Sequence, residues 1–356
     1  MFKLDENDKV FAAALQACLP DKVFDVHAHL FRREELDLGT APVLGDLPEL
    51  GDMEYWRESL SAQVGEQRVF GGLFFGMPII PMDNVRERID RINSFIIKEL
   101  HSQDMQQAGG LLLDAHAKSP AAPDMPQAGG LLLVANTSDP AEVESLLENK
   151  SILGFKPYEA LNPGCGPMSD IHEYLPEWAC ELANKHSLIV MLHIVKPKAL
   201  DDERNIEEIN ALCARFPYMK LVLAHAGSGF NMYNTINGCR KLNKTDNLWF
   251  DFSALCEPSA FTALINTFGV KRMLWGSDYP VSLRKGRFVT LGDSFIGLQR
   301  DTVKRPIDDG TLVGMENLRA VLHAAQDCRL NSEELEDIFY NNAMSLLERG
   351  APKCLI

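Results

Sequence analysis

The sequence predicts an α/β fold, and three observations carry that expectation: its length, a rhythm of short apolar runs, and the helical stretches between them. At 356 residues the chain is about two average domain lengths, yet α/β barrels of this order often form one domain. A single domain over residues 1–356 is therefore expected. Runs rich in Val, Ile, Leu and Phe mark eight strand candidates, at 23–26, 69–75, 130–135, 152–158, 188–195, 220–226, 248–253 and 272–276. Amphipathic patterns separate most of them, as in a parallel sheet of βα units. Eight units between about residue 23 and residue 280 fit a (β/α)8 TIM barrel in length and count. A doubly wound sheet is the rival, and periodicity does not separate the two.

Helix starts are legible at two places. Asp139-Pro140-Ala141-Glu142 offers a capping aspartate, proline at the first helical position and glutamate at the third. Asn331 followed by Glu334 opens the last helix, expected to run to about Glu348 and stop at Gly350. C-terminal helices are expected over about 311–350, as an extension of the barrel.

One segment is duplicated. Asp104-Met105-Gln106-Gln107-Ala108-Gly109-Gly110-Leu111-Leu112-Leu113 recurs 20 residues later, from Asp124 to Leu133, with Gln106 replaced by Pro126. A single extra copy is too few for a solenoid. A barrel has one third-strand slot, and the second copy is expected to fill it because the helix start at Asp139 follows closely. Residues 104–123 would then be an inserted duplicate, extruded as a loop rich in Pro, Ala and Ser.

Composition limits the function classes. With 35 basic and 50 acidic residues the net charge is −15, which opposes a phosphate backbone and argues against nucleic acid as a partner. No apolar run approaches the roughly 20 residues of a membrane span, so no membrane partner is expected. The N-terminal residues lack a basic stretch followed by an apolar one, so no signal peptide is read. Eight cysteines without a C-x-x-C pattern read as reduced thiols of a cytoplasmic protein. A small molecule is the expected partner, and the sequence leaves a homo-oligomer open.

Polar residues recur where predicted strands end. His27 and His29 form a His-x-His pair after the first strand, and residues i and i+2 of an extended chain face one side, so both rings can meet one metal ion. Lys156 ends the fourth strand, His193 lies near the end of the fifth, His225 follows the sixth and Asp278 the eighth. One histidine in an apolar run is more often a core residue, but this set sits at the strand ends where barrel active sites are built. His101, His172, His186 and His323 fall in helical stretches and His116 in the duplicated region, and all read as solvated. Gly227-Ser228-Gly229 lacks the third glycine of a dinucleotide fingerprint, position 232 being Met232. Neither a nucleophile elbow nor a phosphate-binding loop occurs.

On these residues the chain resembles the amidohydrolase superfamily, metal-dependent hydrolases on a distorted TIM barrel. The resemblance runs from His27-Ala28-His29 through His193, His225 and Gly276-Ser277-Asp278-Tyr279-Pro280 to Asn341-Asn342-Ala343 in the terminal helix. It is nearest the branch of small decarboxylases, lactonases and uncharacterised hydrolases. It implies a divalent ion held by His27, His29, His193 and Asp278, most simply zinc given a nitrogen-rich set, with manganese or another first-row ion as alternatives. It also implies a catalytic proton-transfer role for Asp278, and for His225 either metal ligation or orientation of the attacking water and polarisation of the scissile carbonyl. Lys156, if carboxylated, would bridge a second ion, and if unmodified would meet an anionic substrate group. Basic residues beyond the strand ends (Arg32 and Arg33, Lys196 and Lys198, Arg284, Lys285 and Arg287) suggest a carboxylate-bearing substrate, with Arg32, Lys196 and Arg284 as binding candidates. The leading expectation is hydrolysis of a small amide, ester or lactone. The alternatives are a non-oxidative decarboxylase of an aromatic or enoic acid, and a non-catalytic metal-holding protein.

Overall fold

A computed structural model describes residues 2–39, 47–110, 128–299 and 310–348. Eight parallel strands follow one another in chain order around a curled sheet: β1 (Val23–Arg32), β2 (Val69–Gly76), β3 (Ala128–Val134), β4 (Ile152–Pro157), β5 (Ile189–Leu192), β6 (Lys220–Leu223), β7 (Leu248–Asp251) and β8 (Met273–Leu274). Each matches one of the eight apolar runs. A two-residue piece, Leu50–Gly51, pairs antiparallel with the end of β1.

The ring closes just beyond the very short β8. The Val26 amide donates to the Trp275 carbonyl at 3.2 Å, the Asp278 amide to the His27 carbonyl at 2.8 Å, and the His29 amide to the Tyr279 carbonyl at 2.8 Å. These bonds set the loop 275–279 beside β1 in parallel register. The last strand position is thereby completed by the segment that carries Asp278.

Alternation sorts the strand residues between two apolar layers. Phe24, Val26, Leu73, Phe75, Leu131, Leu153, Met191 and Val222 fill the interior, while Val23, Ala28, Leu30, Val190, Leu192, Leu221 and Leu223 pack outward against helices. Trp275 and Phe252 also belong to the outer layer. The base of the barrel is covered by the C-terminal helix Asn342–Leu347, whose Ala343, Leu346 and Leu347 join the interior cluster. Asn342 Nδ2 donates to the carbonyls of Val270 at 2.9 Å and Met273 at 2.8 Å, holding this helix to the start of β8. Both expected helix starts carry their caps: Asp139 accepts from the amides of Ala141 and Glu142, and Asn331 and Glu334 form a reciprocal capping box. The final helical stretch is interrupted by a π-turn over Asp337–Asn341, and Gly350 lies outside the described residues.

The second copy of the duplicated segment supplies β3, whose Leu131, Leu132 and Leu133 are fully buried. Residues 104–110 of the first copy continue the helix Val85–Gly110 and are not a loop as expected; Leu111-Leu112-Leu113 and the rest of the expected insertion lie outside the described residues. An antiparallel hairpin, β9 (Gly286–Leu291) with β10 (Ser294–Gln299), follows the ring. It had not been anticipated, although Gly292-Asp293 between two alternating runs is a two-residue hairpin signal.

Candidate metal centre

A bulge in β1 aims the histidine pair. Phe24 and Val26 face the interior, so simple alternation would send His27 and His29 outward. Between Asp25 and Ala28, however, β1 advances three residues while β2 advances two, from Gly72 to Phe74. The extra residue reverses the alternation, as bulges beside active sites commonly do. His27 and His29 thus turn inward, and Ala28 and Leu30 face the outer helices.

Three donor atoms then form a nearly equilateral triangle. His27 Nε2 lies 3.3 Å from His29 Nε2, His27 Nε2 lies 3.4 Å from Asp278 Oδ1, and His29 Nε2 lies 3.3 Å from Asp278 Oδ1. A tetrahedral ion with bonds of ~2.05 Å requires ligand separations of ~3.3 Å, so the three atoms fit three corners around one divalent ion. All three residues are buried.

The outward hydrogen bonds fix the tautomers, so that in each neutral ring the lone pair sits on Nε2. His29 Nδ1 is 3.0 Å from the Gly76 carbonyl, which only accepts, so Nδ1 carries the hydrogen. His27 Nδ1 is 2.6 Å from Asp251 Oδ2 and donates to that carboxylate. Burial and the nearby Lys156 hold the His27 ring well below the usual histidine range, and burial does the same at His193. Neutral rings with free Nε2 lone pairs are what a metal ligand requires.

Asp251, at the end of β7, was missed by sequence reasoning, as were Ser253 and Asp25. Asp251 stands at its strand end as His193 and His225 stand at theirs, so the same positional criterion would have found it. Asp25 binds β1 to the Asp278 loop: Oδ1 accepts the amides of His27 at 3.0 Å and Ser277 at 2.8 Å. Its Oδ2 accepts from Ser277 Oγ at 2.6 Å and Trp56 Nε1 at 2.8 Å. Burial lifts this carboxyl to about 6. Asp278 itself has a positive φ of 57°, unfavourable for a residue with a Cβ and found where surrounding structure fixes a functional side chain.

His225 and His193 stand beside the triangle. The His225 ring lies 4.8 Å from that of His27 and 5.2 Å from that of His193, and the His193 ring lies 5.6 Å from that of Tyr158. His225 Nδ1 is 3.2 Å from the Ser253 carbonyl, so it too carries its hydrogen there and leaves Nε2 free. Its backbone has φ 53°. His193 belongs to neither donor group around His27, and its Nδ1 is buried with no partner among the described residues.

Lys156 lies within the barrel, fully buried, with Nζ 4.8 Å from the Phe75 ring centre and 5.0 Å from that of Tyr158. The amine has no hydrogen-bond partner among the described residues. Burial brings it down to about 7, against the opposing pull of Asp251 and Asp278.

The remaining basic candidates are placed differently. Arg32 points outward and stacks over Phe95 at 4.6 Å, because it follows Leu30 on the outer side of the bulged strand. Lys196 is held by Asp170 and Asp202. Lys285 pairs with Asp5 and Asp8, and Arg287 with Glu316 and the Cys256 carbonyl. Arg284 has a buried Nε without a partner among the described residues, and burial holds its guanidinium below the usual range against the opposing pull of Asp278. His172 is a surface residue bonded to Glu208 at 2.7 Å.

An open cavity of about 510 Å³ is lined by His29, His193 and His225. Its lining includes an apolar stretch, Met77, Pro78, Ile79 and Ile80, together with Tyr158 and Glu159. The site thus combines neutral donors for an ion, a carboxylate and histidines at their edge, and room for a small molecule.

The chain belongs to the amidohydrolase family: the model described as Amidohydrolase matches residues 24–349. Among solved structures, an amidohydrolase from Burkholderia multivorans with bound zinc is 14% identical, with a TM-score of 0.55 over 92% of this chain and 100% of that one. A dihydroxybenzoic acid decarboxylase from Polaromonas sp. JS666, with bound manganese and 2-nitroresorcinol, is 15% identical at TM-score 0.55, covering 92% of this chain and 97% of its own. A candidate 2-pyrone-4,6-dicarboxylic acid hydrolase from Pseudomonas putida is 15% identical at TM-score 0.51, covering 92% and 98%. These likenesses establish the TIM-barrel fold. No curated protein matches the chain. Among the described residues no helix is long and apolar enough to cross a membrane.

Proposed function

We propose that the protein is a metal-dependent hydrolase of a small, carboxylate-bearing amide, ester or lactone. The observation that carries this reading is the triangle of His27 Nε2, His29 Nε2 and Asp278 Oδ1, with sides of 3.3–3.4 Å. A divalent ion bound there, zinc or manganese as in the two solved relatives, supplies a Lewis acid and lowers the pKa of water to roughly 7. Asp278 takes the proton of the attacking water and returns it to the leaving group. His225 presents an unprotonated Nε2 and orients that water by accepting its second hydrogen; as a neutral ring with Nδ1–H bonded to Ser253, it cannot also donate to the scissile carbonyl. Lys156 and Arg284, whose Nζ and Nε are buried without a hydrogen-bond partner among the described residues, receive the substrate carboxylate. His193 completes the histidine edge beside Tyr158. Carboxylation of Lys156 would instead make it a ligand for a second ion, a state that mass spectrometry of the intact protein reports directly.

A second reading, non-oxidative decarboxylation, is favoured by the apolar stretch of Met77, Pro78, Ile79 and Ile80, which suits an unsaturated or aromatic body. Metal analysis of the full chain, followed by a panel of lactones, esters, amides and aromatic acids, separates the readings. Water-dependent ring opening or acyl cleavage supports the hydrolase, and release of CO₂ assigns the decarboxylase. Asp278→Asn should lower turnover by ~10²–10⁴-fold; unchanged turnover with metal retained would remove Asp278 from the chemistry.

A further inference from the structure

A continuous hydrogen-bonded chain joins two rings to which the proposed reaction gives separate tasks. Asp251 Oδ2 accepts from His27 Nδ1 at 2.6 Å and from Ser253 Oγ at 2.7 Å. Having given its hydrogen to Asp251, the Ser253 hydroxyl can only accept from a second partner, and His225 Nδ1 stands 3.0 Å away. The Ser253 carbonyl, 3.2 Å from the same nitrogen, also only accepts. Asp251 further holds its own turn, with the Ser253 amide 2.9 Å from Oδ1. Asp251 and Ser253 are fully buried, so water does not substitute for either.

We infer that Asp251 and Ser253 act as one positioning unit: Asp251 orients His27 directly and, through the Ser253 hydroxyl, orients His225. Both rings are thereby locked as Nδ1–H tautomers, and both Nε2 lone pairs face the cavity. The inference rests on the metal-site reading for its consequence, but the tautomers are properties of the chain itself. The bulge at Asp25–Ala28 sets the direction of His27, whereas β7 sets its rotation and tautomer. The His225 position, bent by its positive φ, depends on the same carboxylate for its ring orientation. The unit moves no proton during the reaction: the hydrogens stay on both Nδ1 atoms and on Ser253 Oγ.

The test is ¹⁵N-histidine NMR of the full-length, metal-free protein, paired with cobalt(II) titration. In the wild type His27 and His225 should both show the Nδ1–H tautomer. Ser253→Ala should leave both rings as Nδ1–H tautomers, because the Ser253 carbonyl remains 3.2 Å from His225 Nδ1, and should shift the His225 ring resonances, with cobalt affinity changed less than about threefold. Asp251→Asn offers an amide N–H where His27 needs an acceptor, and should weaken cobalt binding by ~10–100-fold while disturbing both rings. If Asp251→Asn does not fold, Ser253→Ala, which removes one oxygen, decides alone. Unchanged His225 ring resonances in Ser253→Ala overturn the inference. A wild-type protein with both tautomers fixed that binds no cobalt overturns the metal-site reading and leaves the positioning unit standing. With an active substrate in hand, Ser253→Ala should reduce kcat by roughly tenfold at unchanged KM, as loss of ring orientation predicts.

Discussion

The two sides of the cavity differ in how their polar atoms are satisfied. On the side of β1, each His27 and His29 ring has its outer nitrogen hydrogen-bonded and its inner nitrogen at a corner of the donor triangle. On the side of β4 and β5, Lys156 Nζ and His193 Nδ1 are buried with no partner among the described residues. A buried polar group without a partner costs ~1–3 kcal/mol, so the first side is completed by the chain and the second is held at the expense of stability. Under the proposed function, the finished part is the one that binds the ion and the unfinished part the one that takes and releases the substrate.

The largest test of this contrast is His27→Ala. It should abolish retention of a divalent ion, measured by elemental analysis after dialysis, while far-UV circular dichroism shows the barrel intact. Barrel stability lies in the packed interior and outer helices. A full metal complement in that variant would break the comparison at its stronger side.

Lys156→Met tests the other side and should have the opposite sign in stability. Replacing the amine with an apolar chain of similar shape should stabilise the fold at neutral pH by ~1–3 kcal/mol, while weakening substrate binding. The pH dependence follows from the depressed value of about 7 for Lys156. Between that value and the ordinary lysine range the unfolded chain binds the extra proton, so wild-type stability rises with pH. The penalty is full below about 7 and fades as the solution becomes alkaline. Urea denaturation of both proteins from pH 7 to pH 10 should therefore show the advantage of Lys156→Met shrinking. An advantage independent of pH would mean that the amine stays charged in the fold and has found a partner.

The smallest effect is expected away from the cavity. Asn342→Ala removes two hydrogen bonds to the carbonyls of Val270 and Met273, and should cost ~1–3 kcal/mol with metal affinity unaltered. A loss of affinity there would show that the base of the barrel communicates with its mouth through β8.

The strands were legible because each interior or outer layer residue had to be apolar, leaving eight dense runs in an otherwise mixed sequence. The hairpin was not, since residues 286–298 are half-exposed or exposed and its apolar side chains include Leu291, Phe295 and Ile296 at the surface. Ligand candidates were found by their place at strand ends. Asp251 occupies such a place and was overlooked because an acidic residue near a strand terminus usually reads as solvated. The inward turn of His27 could not be derived from spacing alone: it depends on one extra residue in β1 relative to β2. Basic residues misled most, since sequence shows charge but not the acids that neutralise it, as at Lys196 and Lys285.

The duplicated segment carries a further lesson. Ala108-Gly109-Gly110 ends a helix, whereas Ala128-Gly129-Gly130 opens a strand. Identical tripeptides, preceded by nearly identical residues, therefore take opposite conformations in one molecule. Glycine's permissiveness makes both accessible, and in the strand the neighbours make use of the missing side chain: Leu100 lies 2.7 Å from where a Cβ on Gly130 would stand, and Leu153 2.3 Å from one on Gly129. The word is the same in both places, and the sentence around it decides the meaning.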